Sequence, residues 1–282
     1  MRTSFILSLV LVVFLSSCAK TRIKEHSDWE QYFATNGIKN GCFILRDNNH
    51  ESIHYYNLKR CSQRLLPAST FKIFNSLVAL ETAIAPDDQL VIKWDGVKRK
   101  PEWDKDMTMR EAFTVSCVPY YQELARRIGH QNMQHYLDTV QYGNMKMGSH
   151  IDSFWLDNSL QITADEQVGF LKKLYFNQLP LSERSQRIVR SIMLREDSTN
   201  YKLYYKTGWG IVGDTSTLWI VGFVERIEHV NEPKESMNKS DVRMYPYFFA
   251  ENFDIPKSDA TKKWADLRLQ IAKEILRSYG AM

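Results

Sequence analysis

The sequence of 282 residues lacks a long apolar run after its first 15 residues and has little charge of one sign. A membrane-spanning helix needs about 20 consecutive apolar residues, so the remainder of the chain predicts no transmembrane segment. The formal net charge is only +4, and no basic run with interleaved aromatic residues is present. We therefore expect no nucleic-acid partner. With 44% hydrophobic and 25% charged residues, the composition is that of a globular protein.

Cysteine is also scarce, with four residues in the whole chain: Cys18, Cys42, Cys61 and Cys117. No Cys/His spacing matches a metal site, so no metal is expected. Cys42 and Cys61 flank a predicted hairpin. A disulfide between them and two small buried apolar side chains both remain open, because the chain is expected to reach an oxidising compartment. Cys117 is expected to pack rather than to react.

The N-terminus is typical of an exported protein. Arg2 precedes the apolar run Phe5–Leu15, which is too short to span a membrane, and this predicts a signal peptide over residues 1–17. Leu15-Ser16-Ser17-Cys18 resembles a bacterial lipoprotein box, in which the cysteine is lipidated; an ordinary cleaved signal with an incidental cysteine is the alternative. We expect a periplasmic protein, held to the membrane through Cys18 in the first case.

Strand patterns occur at both ends of the chain and helical patterns between them. Alternating and β-branched residues predict strands at residues 41–46, 52–57, 201–206, 216–224 and 244–251. Apolar residues spaced by three and four predict helices at residues 69–84, in most of 107–193, and at 260–279. The predicted fold class is α+β: an antiparallel sheet from both chain ends, flanked by helices, with an inserted all-helical lobe. Residues 18–282 are expected to form one domain of two lobes, with the site in the cleft.

The first candidate site is the motif Ser69-Thr70-Phe71-Lys72. On a helix, Ser69 and Lys72 lie on the same face, within reach of each other. A serine hydroxyl becomes a good nucleophile when a neighbouring base takes its proton, and a lysine can do so when burial keeps it neutral. Ser-x-x-Lys is a weak pattern by itself. Ser236-Met237-Asn238-Lys239 also matches it, in a polar stretch with no apolar helix behind it, and is not expected to be functional.

The second candidate is Lys206-Thr207-Gly208, at the end of the predicted strand Leu203–Tyr205. A cation, a hydroxyl and a small residue in this order suit an anionic substrate, and Gly208 permits a close approach of its backbone-like atoms. The alternative is a surface strand that runs into a turn.

Two further motifs lie in the helical middle of the chain. Ser116, in Ser116-Cys117-Val118, either relays a proton between a leaving group and a lysine or caps a helix. Tyr142-Gly143-Asn144 predicts a turn and has no functional interpretation by itself.

In order and spacing, these motifs together resemble the four motifs of class D serine β-lactamases, the oxacillinase family. Residues 67–75, Phe154-Trp155-Leu156 and Leu267-Arg268 agree as well, so the resemblance covers roughly residues 40–280. It implies a serine β-lactamase or penicillin-binding-protein type of fold.

The resemblance implies a catalytic role for each matched residue. Ser69 is the acylated nucleophile. Lys72 is carboxylated on its amine to N6-carboxylysine and is the general base in both acylation and deacylation, so CO2 or bicarbonate is needed but no other cofactor. Val118 and Trp155 form the pocket around the carbamate. Ser116 and Lys206 carry the proton to the leaving nitrogen.

The resemblance also implies how the substrate is bound. Substrate-binding residues are Ser116, Lys206, Thr207, Gly208 and Arg268, of which Thr207 and Arg268 bind the substrate carboxylate. The backbone N–H groups of Ser69 and Trp209 form the oxyanion hole.

The implied function is hydrolysis of the β-lactam amide bond of penicillin-type antibiotics through a serine acyl-enzyme, which confers resistance. One alternative is a penicillin-binding sensor domain that is acylated without turnover; such domains belong to longer chains and carry a polar residue where this chain has Val118. Another is a D,D-peptidase, which Val118 and Trp155 disfavour. The range of β-lactam substrates and the choice between monomer and homodimer stay open.

Overall fold

The computed structural model describes residues 22–230 and 241–282. The predicted signal peptide, Cys18 and the second Ser-x-x-Lys match at Ser236–Lys239 lie outside the described residues. Among the helices of the described ranges, none has the length and apolarity that crossing a membrane requires.

A seven-stranded sheet runs through the described part of the chain. From one edge to the other it consists of β1 (Arg22–Glu25), β3 (Ser52–Tyr56), β2 (Gly41–Asp47), β9 (Asp241–Pro256), β8 (Thr215–Val230), β7 (Tyr201–Val212) and β6 (Leu194–Asp197). Both chain ends contribute, as predicted, because β2 pairs antiparallel with β9 in the middle of the sheet.

The expectation of a wholly antiparallel sheet was wrong at one edge. Strand β1 pairs parallel with β3, with Arg22 opposite Ser52, so the sheet is mixed. All four residues of β1 are exposed, and Arg22-Ile23-Lys24-Glu25 has no apolar alternation that would mark it as a strand.

Nine helices are formed in the described ranges. They are α1 (Glu30–Ala34), α2 (Leu58–Cys61), α3 (Lys72–Glu81), α4 (Met109–Thr114), α5 (Val118–Ile128), α6 (His130–Val140), α7 (Ala164–Tyr175), α8 (Glu183–Met193) and α9 (Lys262–Tyr279). Helices α4 to α8 confirm the predicted helical middle of the chain.

The helix expected to begin at Met107 begins instead at Met109. Met107–Thr108 forms β5, which pairs with β4 (Val91–Ile92) in a separate two-stranded ladder. The Thr108 side chain accepts a hydrogen bond from the Glu111 backbone, and the Glu111 side chain bonds back to Thr108. This reciprocal cap fixes the helix start, because it satisfies backbone N–H groups that have no partner inside the helix.

Side-chain alternation divides the sheet into two cores. Along β8, Trp219, Val221 and Phe223 face the core shared with α3, α5 and α7, whereas Leu218 and Ile220 face the core under α9. The helical lobe thus covers one face of the sheet and α9 the other. The candidate site lies where β7 meets the start of α3.

The cysteines in the described residues are free and buried. Cys42 on β2 and Cys61 at the end of α2 are neighbours, and the hydrogen bond between their side chains, together with burial, raises the pKa of the Cys61 thiol. Cys61 Sγ also lies 3.5 Å from the Phe43 carbonyl oxygen. Of the two alternatives, the structure has the pair of packed thiols rather than the disulfide.

Candidate active site

Ser69 lies in a tight turn just before α3. Residues Ala68–Phe71 form a 3₁₀ turn, so Ser69 and Lys72 belong to two successive helical segments and not to one helix. The Ala68 N–H donates to the Trp155 carbonyl at 3.1 Å, and Thr70 Oγ1 donates to the Pro67 carbonyl at 2.7 Å. Ala68 has a φ of 48°, a left-handed conformation that a side chain disfavours. Strain of this kind persists where surrounding contacts hold the backbone, and it is concentrated at functional sites.

The predicted contact between Ser69 and Lys72 is present. Lys72 Nζ donates to Ser69 Oγ at 2.8 Å, and the lysine side chain is fully buried. Burial disfavours the charged amine and lowers the pKa of Lys72 from 10.5 to about 7. A large fraction of Lys72 is therefore neutral near pH 7 and has a lone pair beside the serine hydroxyl.

Val118 and Trp155 lie on two different segments, one packed against the helix of Lys72 and the other against Phe71 beside it. Helix α5 packs against α3, and Lys72 Nζ lies 5.3 Å from the centre of the Tyr121 ring. Val118 lies one helical turn before Tyr121 on α5, so it projects from the same face. The Trp155 ring stacks on Phe71, with the ring centres 5.1 Å apart.

The indole N–H of Trp155 is buried and has no hydrogen-bond partner in the part of the chain that the structure describes. An unpaired buried donor costs about 1–3 kcal/mol, so the Trp155 N–H beside the Ser69 turn is available to an acceptor that the described residues do not provide. A carboxylate carried on Lys72 Nζ is a group of the required chemistry.

Ser116 and Lys206 are in contact, as expected. Lys206 Nζ donates to Ser116 Oγ at 2.9 Å and to the Thr207 carbonyl at 3.1 Å. Burial, and then the charge of Lys72, hold the pKa of Lys206 well below its usual value. Ser116 does not cap α5, because Cys117 occupies that position; Ser116 instead has a φ of 58° between α4 and α5.

Lys206-Thr207-Gly208 lies in the middle of β7 rather than at its end, which corrects the prediction. Strand β7 continues to Val212, because residues up to Val212 stay paired with β8. Strand β6 pairs with β7 only as far as Tyr204. From Lys206 onward, this edge of β7 has no strand partner among the described residues and runs beside the Ser69 turn.

Gly208 permits the close contact between β7 and that turn. A Cβ atom at this position would lie 3.0 Å from the Pro67 carbonyl oxygen and 3.1 Å from the Thr70 methyl group. The glycine thus brings the strand against the segment that carries the nucleophile. Trp209 follows Gly208 on β7 and is half-buried.

Arg268 of α9 reaches over the same strand. Its Nη1 donates to the Gly208 carbonyl at 2.6 Å, and its Nε to the Ala265 carbonyl at 3.2 Å. Burial lowers the pKa of Arg268 to about 10, so the guanidinium stays charged at neutral pH. Arg268, Lys206 and Thr207 line a cavity of about 310 Å³ together with Arg195. This cluster of donors and cations suits an anion.

Tyr142-Gly143-Asn144 supports the segment that carries Trp155. Asn144 Nδ2 donates to the Ser159 carbonyl at 2.9 Å, and its Oδ1 accepts from the Gln161 N–H at 3.0 Å. The Tyr142 ring lies 4.8 Å from that of Phe74 in the core. The motif therefore closes the loop on which Phe154 and Trp155 lie, a role that a turn prediction alone does not reveal.

Two residues at the site have no motif in the sequence. Gln167 of α7 is fully buried and donates to Thr70 Oγ1 at 2.9 Å, and Arg195 lines the cavity beside Lys206. A signal for Gln167 exists, because it is a polar residue on the apolar face that includes Val168 and Leu171. No group of three or more His, Cys, Asp or Glu side chains in residues 22–230 and 241–282 is placed to hold a metal.

Comparison with known proteins agrees with this geometry. The family model of the penicillin-binding protein transpeptidase domain matches residues 30–231. The β-lactamase OXA-48 of Klebsiella pneumoniae is 40% identical over 255 residues, which are 90% of this chain and 88% of that protein. The probable β-lactamase YbxI of Bacillus subtilis is 42% identical over 190 residues, 67% of this chain and 70% of that protein. The chain belongs to the class D β-lactamase family.

Solved structures support the same family assignment. The class D β-lactamase FUS-1 (OXA-85) of Fusobacterium nucleatum subsp. polymorphum has a TM-score of 0.81 and 35% identity, covering 92% of this chain and 99% of that one. A class D β-lactamase of Sebaldella termitidis has a TM-score of 0.83 and 32% identity, covering 93% and 99%. The α+β fold of the class D family is therefore shared along almost the whole described chain.

Proposed function

We propose that this class D β-lactamase hydrolyses the amide bond of penicillin-type antibiotics through a serine acyl-enzyme and so confers resistance. The observation that carries the proposal is the 2.8 Å contact between Ser69 Oγ and a fully buried Lys72 whose pKa is lowered to about 7. The relatives' names as β-lactamases support the same reaction.

In acylation, Ser69 Oγ attacks the carbonyl carbon of the β-lactam ring and forms an ester. The carbon–nitrogen bond breaks, and the leaving nitrogen takes a proton that Lys206 passes through Ser116, which it contacts at 2.9 Å. The backbone N–H groups of Ser69 and Trp209 bind the oxyanion. Their place on the turn and on β7 beside that turn supports this assignment.

We further propose that Lys72 is carboxylated by CO2, since only a neutral amine attacks CO2. The carboxylate supplies a general base that accepts the Ser69 proton and later a proton from water. Val118 keeps the pocket apolar, and Trp155 Nε1 donates to the carboxylate. The unpartnered Trp155 N–H supports this part of the proposal.

Thr207 and Arg268 bind the substrate carboxylate in the cavity that both line, with Gly208 beside them. Arg268 is already held in place by the Gly208 carbonyl, so little side-chain freedom is lost when the anion binds.

The experiment is steady-state hydrolysis of a chromogenic cephalosporin by the purified protein, with and without added bicarbonate. We expect many turnovers per enzyme, and lower activity after CO2 is removed. Activity should also fall as the pH drops below about 7, because protonated Lys72 cannot react with CO2. A single stoichiometric burst would instead identify a sensor domain. Lys72→Ala should abolish turnover, and substantial steady-state activity in that variant would refute the assigned base.

We also propose that the protein is exported to the periplasm and anchored through lipidated Cys18. The support is the sequence alone, with Arg2, the apolar run Phe5–Leu15 and a cysteine at the small-residue boundary. Both a monomer and a homodimer are compatible with the proposed reaction, because each named catalytic residue comes from one chain.

A further inference from the structure

A buried carboxyl group on β9 has no part in the proposed reaction. Glu251 is 0% exposed, and neither side-chain oxygen has a hydrogen-bond partner among the described residues. An ionised carboxylate in such a place is costly unless an opposite charge or a water compensates it. A buried, unpaired acid therefore needs a physical reason.

The sheet register places Glu251 on the face that carries the carboxylate-binding residues. Thr207 of β7 is opposite Ile220 of β8, and Ile220 is opposite Glu251. Directly paired residues project from the same face. With strands spaced by about 4.8 Å, the Glu251 backbone lies about 10 Å from that of Thr207. Ile220 belongs to the core under α9, so Glu251 lies beneath the helix that carries Arg268.

Arg268 lines the cavity together with Thr207. Glu251 is fully buried and does not line that cavity, so it lies on the interior side of the cavity wall. Burial raises the pKa of Glu251 well above its usual value, and the charge of Arg268 opposes that rise. In turn, Glu251 is the charged group that most raises the pKa of Arg268.

The surroundings of Glu251 contain few other ionisable groups. Among the described residues, those that act on its charge are Arg268 on α9 and the Cys42 thiol on β2, while its direct strand partners Ile220 and Phe43 are apolar. Tyr205 and Asp266 act on Arg268 from β7 and α9. Among the acids, Glu251 acts most strongly on the guanidinium.

We propose that Glu251 is a positioning residue whose protonation state sets how strongly Arg268 binds the carboxylate of the substrate. When Glu251 is neutral, the whole charge of Arg268 attracts the substrate. When Glu251 is ionised, it offsets that charge from inside the protein and weakens binding of anionic substrates. This inference rests on the proposed function, because it takes the substrate to be an anionic β-lactam.

The test compares Glu251→Gln with the parent in a Ser69→Ala background, where binding is measured without acylation. The dissociation constant of benzylpenicillin is determined by calorimetry from pH 6 to pH 9. We expect the ratio of the parent's dissociation constant to that of Glu251→Gln to increase about three- to tenfold over the pH range in which Glu251 ionises, because only the parent gains the buried charge. A penicillin methyl ester, which has no carboxylate, should give a ratio that is constant with pH.

Two further variants make the outcome decisive. Glu274→Gln also removes one negative charge, but from the surface of α9, where Glu274 accepts a hydrogen bond from Gln270. The pH dependence of its dissociation constant should equal that of the parent. Glu251→Met tests the same charge loss if the glutamine variant folds poorly. Equal pH profiles for the parent and both Glu251 variants, or the same change with the ester, overturn the inference. Turnover by the protein with Ser69 intact tests the proposed function separately.

Discussion

At the scale of single residues, two buried lysines differ in their hydrogen-bond partners. Lys72 and Lys206 are both almost fully buried, and burial lowers the pKa of each. Lys72 Nζ forms a hydrogen bond with the nucleophile hydroxyl of Ser69, whereas Lys206 Nζ bonds Ser116 and a backbone carbonyl. The first is therefore suited to activate Ser69, and the second to hold a proton or an anion.

Trp155→Phe should lower the activity about 10- to 100-fold and raise the bicarbonate concentration needed for half-maximal activity. The reason is loss of the indole N–H of Trp155, whose ring stacks on Phe71 and whose N–H is proposed to stabilise an anionic group on Lys72. The measurement is steady-state turnover against bicarbonate concentration.

Trp264→Phe is the matched control. Trp264 also has a buried indole N–H with no partner in the described chain, but it lies on α9 against Phe253. Its bicarbonate dependence should equal that of the parent protein. If both variants shift equally, the Trp155 N–H has no specific role at Lys72.

At the scale of elements, a histidine pair joins the N-terminal segment to β3. His54 Nδ1 lies 2.8 Å from His26 Nε2, and its Nε2 lies 2.9 Å from Ser52 Oγ. Burial, and then the nearby His26, lower the pKa of His54 from 6.5 to about 4. The native edge of the sheet therefore requires a neutral His54.

This pair predicts loss of stability in acid. Because the folded-state pKa of His54 is below its unfolded value, the contribution is complete above pH 6.5 and is lost as the pH falls toward about 4. We expect the free energy of unfolding to fall by about 1–2 kcal/mol more in the parent than in His54→Gln over this range. Urea unfolding of both proteins at several pH values measures this difference in the free energy of unfolding.

His150→Gln is the control for that series, because His150 is an exposed residue outside the pair. Its stability should change with pH as the parent's does. An acid slope in His54→Gln as steep as the parent's would show that another group causes the loss.

At the scale of the whole molecule, we propose that Cys18 determines where the enzyme acts. If Cys18 carries a lipid, the catalytic domain stays at the membrane, although no helix in the described ranges can cross it. In that case, Cys18→Ser should move most of the activity from the membrane fraction to the soluble periplasmic fraction, with kcat unchanged. Activity measured after cell fractionation tests this. Parent protein found wholly in the soluble fraction would favour the ordinary cleaved signal.

The large elements follow from local sequence patterns. Apolar spacing located the helices of the inserted lobe and α9, since a helix that packs on one side needs that repeat. The short strands β1, β4, β5 and β6 were missed, because strands of two to four residues contain too little pattern to recognise. Whether such a short segment forms an edge strand depends on the neighbouring strand with which it pairs, and not on its own residues.

The order and spacing of the motifs that contain Ser69, Ser116 and Lys206 identify the family from the sequence alone, because a motif is a local pattern of residues. Tertiary structure alone decided the electrostatics. The lowered pKa of Lys72, the unpartnered N–H of Trp155 and the acid at Glu251 beneath Arg268 all depend on burial. A group is buried by residues that are distant in the chain, so a local sequence pattern does not reveal how far its pKa is shifted.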